Sequence, residues 1–354
     1  MTKKTALVVG VTGIAGQSVA RKLVKEGWLV YGLSRRNRGV PDGVVHVQAD
    51  LLDPQGTREA IKELKPEVVF ITAWIKRDTE QENIVVNSAT IQNLLDGLCG
   101  ASVRHVALLT GLKHYLGPFD AYGSSVTAET PFHESEPRLP NENFYYNQED
   151  ILFEMATKQG FTWSVHRAHT IFGFAVDNAM NMILTLSVYA TICKKLGKKF
   201  IFPGSKAQWN FVTDVTDADL LGEQMLWAAT TPRGENEAFN ICNGDIFRWR
   251  WLWPQIAEHF QLEWEGFEGE PRPLSEQMKG LEPVWEEIAK EYGLMESDVS
   301  KLASWWHTDG DLGREIECVT DMNKSREAGF LNFRNTVNSF FDKVDRYRAA
   351  KFIP

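Results

Sequence analysis

Leu7-Val8-Val9-Gly10-Val11-Thr12-Gly13-Ile14-Ala15-Gly16 is the stretch that decides the fold. A short β-branched run enters three glycines spaced G-x-x-G-x-x-G, and a helical pattern follows over residues 14–25. Gly10 permits the tight turn, Gly13 lets backbone approach a pyrophosphate, and Gly16 lets helix and strand pack closely. The helix start adds free N–H groups and the positive dipole end to any phosphate held there, with Thr12 and Ile14 inside the loop as further candidate contacts.

Outward from this loop, strand-like runs at 6–10, 28–33, 44–47, 68–71, 103–110 and 162–167 alternate with helical periodicities near 14–25, 55–64, 84–98 and 144–158. That rhythm predicts an α/β fold with a doubly wound parallel sheet. After about residue 175 it changes to long helices at 179–195 and 215–229, with a short strand near 199–202. Seven of the 12 tryptophans lie from Trp249 to Trp306. The expected organisation is a dinucleotide-binding Rossmann domain over 1–175, with returning segments near 205–245, interleaved with a smaller, mostly helical substrate domain over 176–354.

Composition excludes several classes. The chain has 354 residues, 43% hydrophobic and 24% charged, enough to bury a large core, so bulk disorder is excluded. Its 38 basic and 47 acidic residues give a net charge of −9, which argues against a nucleic-acid partner. The longest apolar run, 182–193, is shorter than the ~18–20 residues of a spanning helix, and no signal peptide is apparent, so no membrane association is expected. Cys99, Cys193, Cys242 and Cys318 lie far apart, and the close pair His166 and His169 has no cysteine nearby. A cytoplasmic protein with no metal site is the expectation.

The end of the second strand selects the nucleotide. A carboxylate there holds the ribose hydroxyls of NAD and repels a 2′-phosphate; this chain reads Ser34-Arg35-Arg36-Asn37-Arg38. Guanidinium groups attract that phosphate, so NADPH/NADP+ is the expected cofactor. Asp50, in Ala49-Asp50-Leu51, is placed to accept from the adenine amino group, or else belongs to a helix cap. Thr72 and Ala73 end the fourth strand, where the chain passes the middle of the cofactor.

At this point the chain resembles the extended short-chain dehydrogenase/reductases, with one departure. Their Tyr-x-x-x-Lys pair is missing: four residues after Tyr145 stands Glu149, and four after Tyr146 stands Asp150. A carboxylate neighbour raises a phenol's pKa, the reverse of what a lysine does. A lysine occurs instead in Leu109-Thr110-Gly111-Leu112-Lys113-His114-Tyr115-Leu116-Gly117-Pro118-Phe119. This segment and Asn143-Phe144-Tyr145-Tyr146 are similar to the progesterone 5β-reductase/iridoid synthase-like (PRISE) family, here of the bacterial type. The likeness continues through Trp163-Ser164-Val165-His166-Arg167, Ile171-Phe172-Gly173-Phe174, Glu282-Pro283-Val284-Trp285 and Gly329-Phe330-Leu331-Asn332-Phe333-Arg334, so it covers nearly the whole chain.

The resemblance implies an oxidoreductase that uses NADPH to reduce the C=C bond of an α,β-unsaturated carbonyl compound, a small apolar enone. It implies Tyr145 and Lys113 as the catalytic pair, with Tyr146 as the alternative hydroxyl. Thr110 would lie beside the cofactor and Phe119 beside the substrate, and the superfamily analogy allows a homodimer. Ala168-His169-Thr170 departs from the Pro-Gly-Asn that relatives usually carry next to the nicotinamide, and the loop 124–134 departs too. Two other readings stay open: a carbonyl reductase or sugar-nucleotide-modifying enzyme on the same fold, and a non-catalytic NADPH sensor.

Overall fold

Strand β1 (Thr5–Val9) feeds two cores at once, because successive side chains leave a strand on opposite faces. Ala6 and Val8 enter one hydrophobic cluster, Leu7 and Val9 another, all at 0% exposure. A strand buried on both sides needs helices on both sides, and the chain supplies them. It continues through α1 (Ile14–Lys25), β2 (Leu29–Ser34), β3 (Val44–Gln48), α2 (Pro54–Ile61), β4 (Val68–Ile71) and α3 (Glu80–Gly97). Then come β5 (His105–Gly111), α4 (Lys113–Leu116), α5 (Phe144–Gln159) and β6 (Thr162–Ala168). The computed structural model describes residues 3–118 and 129–354.

Beyond β6 run β7 (Ile171–Phe172), α6 (Met182–Leu196), β8 (Phe200–Ile201), α7 (Lys206–Asn210), β9 (Thr216–Asp217), α8 (Ala218–Thr230) and β10 (Glu237–Ile241). The remainder is α9 (Trp249–Phe260), β11 (Trp264–Glu265), α10 (Leu274–Gln277), α11 (Glu282–Tyr292), α12 (Trp305–Leu312), α13 (Asn323–Glu327) and α14 (Thr336–Ala349).

Seven strands form one parallel sheet in the order β10-β6-β5-β4-β1-β2-β3. This is the doubly wound Rossmann sheet. Its order reverses between β1 and β4, and such a switch point opens a crevice at the carboxyl ends of the strands. Helices α1 and α8 cover one face, and α2, α3 and α5 the other. The pairing of α1 with α8 is close enough that a Cβ on Gly222 would stand 3.2 Å from the Val19 nitrogen.

A third core belongs to the helices after β6. Trp249, Trp253, Trp285, Tyr189 and Phe340 are buried in it. Phe200 stacks on Trp253 with ring centroids 4.0 Å apart. Two of the buried indoles have their polar atom satisfied within this core: Trp253 Nε1 donates to Phe200 O (3.1 Å) and Trp285 Nε1 to Glu296 O (3.2 Å).

One element boundary matters for the site. The helical pattern places a helix over 84–98, but α3 starts at Glu80. Thr79 Oγ1 accepts from the Glu82 N–H (3.2 Å), and Glu82 Oε2 accepts from the Thr79 N–H (3.1 Å), a reciprocal cap that adds a turn. Among the described residues no helix is long and apolar enough to cross a membrane.

Candidate active site

The glycine loop has the shape its spacing predicts. Gly10 sits at φ +82°, and a Cβ there would stand 2.8 Å from the Ala73 Cβ. The Gly10 N–H donates to Leu33 O (2.9 Å), and the Gly13 N–H donates to Gly10 O (2.9 Å). A Cβ on Gly16 would collide with the Gly10 carbonyl, so Gly16 serves helix–strand packing and is not part of the cavity lining. Gly13 caps α1 without any side-chain partner, which leaves the first-turn N–H groups open to a ligand.

A cavity of about 440 Å³ runs from this loop along the carboxyl ends of the strands. Gly10, Thr12, Gly13 and Ile14 line it at the loop. Ser34, Arg35, Asp50 and Leu51 line it at the ends of β2 and β3, and Thr72, Ala73 and Thr110 at the ends of β4 and β5. Arg36 is exposed and outside the lining; its carbonyl accepts from Ser34 Oγ (2.7 Å). Asp50 is not the helix cap. Asp53 caps α2, while Asp50 Oδ1 accepts from the Leu52 N–H (3.0 Å).

Lys113 and Tyr145 line the cavity at its other end. The Lys113 side chain is 6% exposed, with Nζ 3.8 Å from Glu80 Oε2 and 4.7 Å from the Phe144 ring centroid. Asn143 ties the two candidate residues together: its Oδ1 accepts from the Tyr145 N–H (3.0 Å) and its Nδ2 donates to Lys113 O (2.7 Å).

Glu80 is the residue of this corner that sequence reasoning missed. One oxygen accepts from the Phe144 N–H (2.8 Å) at the start of α5, and the other faces Lys113. Burial first, and then the Glu80 charge, push the Tyr145 phenol well above its ordinary range. The i,i+4 spacing points to Glu149 for that effect, and this is a correction. Glu149 turns away to Arg138 (2.8 Å) and Arg167 (3.9 Å), so its charge is taken up by two guanidinium groups. The only hint of Glu80 in the sequence is an acidic residue one position after a threonine cap.

The adjacent tyrosines differ sharply. Tyr146 donates its hydroxyl to His114 O (2.7 Å) and accepts from the Leu139 N–H (3.0 Å), so that group is spent on backbone. Tyr145 Oη has no hydrogen-bond partner among the described residues. It lies 3.6 Å from where a Gly111 Cβ would be, a point that is 3.0 Å from Ala168 O. His114 is buried outside the cavity lining, and its pKa falls to about 3, through burial and then the Arg167 charge. Phe119 lies outside the described residues.

A family model described as a PRISE-like Rossmann-fold domain matches residues 58–354. The chain belongs to the PRISE-like family. This PRISE-like chain is 44% identical to a 3-oxo-Δ(4,5)-steroid 5β-reductase of Arabidopsis thaliana over 99% of its own length and 94% of the relative. It is 43% identical, with the same coverage, to an (S)-8-oxocitronellyl enol synthase of Camptotheca acuminata. Among solved structures it resembles a UDP-glucose 4-epimerase of Thermotoga maritima, with a TM-score of 0.69, 17% identity, and coverage of 98% and 99% of the two chains. At that identity the likeness speaks for the fold alone.

The substrate end of the PRISE-like cavity is more polar than the aromatic density after residue 175 suggests. Trp74, Ile75 and Met180 line it together with Asn178, His307, Asp311 and Arg314. No tryptophan or phenylalanine beyond residue 175 is in the lining among the described residues. Trp249, Trp253 and Trp285 fill the third core instead, and Trp251, Trp264 and Trp306 are exposed.

Proposed function

We propose that this protein reduces the C=C bond of α,β-unsaturated carbonyl compounds with NADPH. The observation that carries the reading is Tyr145: a phenol held neutral, its hydroxyl without a hydrogen-bond partner among the described residues, lining with a buried lysine the reacting end of a dinucleotide cavity. The names of the two relatives, a steroid Δ4,5 reductase and an enol synthase, point to the same chemistry.

The residues present suit the cofactor. The turn at Gly10, the uncapped first turn of α1 and the guanidinium of Arg35 would hold pyrophosphate and 2′-phosphate. NADPH bound there supplies a hydride for the β-carbon of the enone. As that carbon is reduced, negative charge collects on the carbonyl oxygen. Tyr145 donates a hydrogen bond to the oxygen, and Lys113 adds positive charge; preorganised donors of this kind are each commonly worth ~3–4 kcal/mol. Glu80 orients Lys113, and burial together with the Glu80 charge keeps the proton on Tyr145, which a donor needs. The α-carbon of the enolate then takes a proton from solvent.

The test uses NADPH deuterated at C4 with a small enone. Deuterium on the β-carbon of a saturated ketone or aldehyde supports the reading. An allylic alcohol labelled at the carbinol carbon would mean carbonyl reduction, and NADPH binding without turnover would mean a sensor.

A further inference from the structure

His169 stands one residue beyond Ala168, the last of β6, and lines the same cavity as Lys113 and Tyr145. Its ring is held from behind. Nδ1 lies 2.6 Å from Asp214 Oδ1, and both side chains are 1% exposed. Asp214 is not in the cavity lining, and it is fixed in turn by the Thr320 N–H on Oδ2 (2.7 Å). The His169 N–H donates to Thr216 Oγ1 (3.1 Å).

A carboxylate on Nδ1 settles the tautomer of a neutral imidazole: the hydrogen sits on Nδ1, and Nε2 presents a lone pair on the opposite side of the ring. That Nε2 is buried and meets no hydrogen-bond partner among the described residues. A buried acceptor left unmatched is unfavourable, while Asp214 and Thr216 hold this residue in place. An occupant of the cavity carrying an N–H donor would satisfy it.

The location identifies that donor. The glycine loop and Arg35 take the phosphate-bearing parts of a dinucleotide, so its nicotinamide falls at the Lys113–Tyr145 end. There Ala168 O and Tyr145 Oη flank one point, beside residue 169. The carboxamide NH2 is the nicotinamide's hydrogen-bond donor. We propose that His169, oriented by Asp214, accepts a hydrogen bond from the nicotinamide carboxamide and restrains rotation of that ring. The inference rests on the NADP(H) reading given above.

The experiment is a binding titration, read by tryptophan fluorescence, with NADPH and with 2′-phospho-ADP-ribose, which lacks the nicotinamide. His169→Leu is expected to weaken NADPH by about 3- to 10-fold and to leave the fragment unchanged within about twofold. His169→Gln offers an amide oxygen as acceptor and is expected to keep most of the NADPH affinity. Asp214→Asn leaves an oxygen for the Thr320 N–H but releases the imidazole, and is expected to behave like His169→Leu. Should His169→Leu fail to fold, the Gln and Asn variants carry the same comparison. Equal losses for both ligands would make the ring structural and overturn the inference, as would no loss for NADPH. A wild-type protein that binds neither ligand overturns the NADP(H) reading itself.

Discussion

The glycine loop and the Lys113–Tyr145 corner occupy two ends of one cavity, and they are made in opposite ways. The loop is seven consecutive residues, 10–16, whose backbone does the work; Leu33, Thr72 and Ala73 press on it from the ends of the neighbouring strands. The corner is assembled from Trp74, Glu80, Lys113 and residues 143–145, which converge through a carboxylate, an amide and two aromatic faces. A local device survives as a motif that can be read by eye. A device assembled across the chain has no motif, and its tuning group can change without altering the spacing of the residues it serves.

The largest effect expected separates the two ends. Tyr145→Phe should lower kcat by ~10²–10³ while NADPH affinity stays near wild type, because the lost donor acts on the developing oxyanion. Tyr146→Phe, one residue further on, should lower the melting temperature and leave kcat within about tenfold, since its hydroxyl holds backbone groups. Steady-state kinetics beside thermal melts check the pair, and a larger kcat loss in Tyr146→Phe would reverse the assignment.

The loop end is probed next. Arg35→Ala should reduce the preference for NADPH over NADH by ~10- to 100-fold, since a charge-assisted contact is worth ~1.5–3 kcal/mol. Turnover at saturating NADPH should not change. A matched loss of kcat would mean that the two ends are not separable.

A smaller change is expected for Glu80→Gln. The amide oxygen can still accept from the Phe144 N–H, but the charge facing Lys113 and Tyr145 is gone. A fall in kcat of ~3- to 10-fold, with the melting temperature nearly retained, would mark Glu80 as positioning the corner. Loss of stability alone would make it a helix cap and nothing more.

The smallest effect is a flat line. The Tyr145 pKa is raised, so the phenol keeps its proton throughout the ordinary alkaline range and goes on donating. The rate should show no basic limb between about pH 7 and 10. A limb below about pH 9 would indicate a lowered phenol pKa, as a Tyr-x-x-x-Lys pair produces.

Much of this was legible beforehand, and the misses are instructive. Helix α1 spans the residues its periodicity marks, because apolar side chains at helical spacing and a terminal glycine are local signals. The tryptophans after residue 175 read mostly as core, and only packing sorts them: Trp249, Trp253 and Trp285 are buried in the third core, while Trp251, Trp264 and Trp306 are exposed. Glu149 has the right spacing to touch Tyr145 along a helix, yet the nearby guanidinium groups of Arg138 and Arg167 hold it elsewhere. A carboxylate pairs with the cations available in space, and spacing along one helix does not show those.

By itself, then, the sequence determined the alternating fold, the glycine turn after β1, the arginine in place of an acid after β2, and the absence of a lysine four residues beyond Tyr145. These depend on neighbours within a few residues, where backbone geometry leaves few choices. The tertiary structure alone decided which of two tyrosines spends its hydroxyl on backbone, which carboxylate adds its charge to the burial that raises the other's pKa, and that His169 leans on Asp214 with one nitrogen unmatched among the described residues. Each of those outcomes is a hydrogen bond or a charge pair between groups far apart in the chain. Their partners are chosen by burial and proximity once the sheet has closed, and by nothing written beside them.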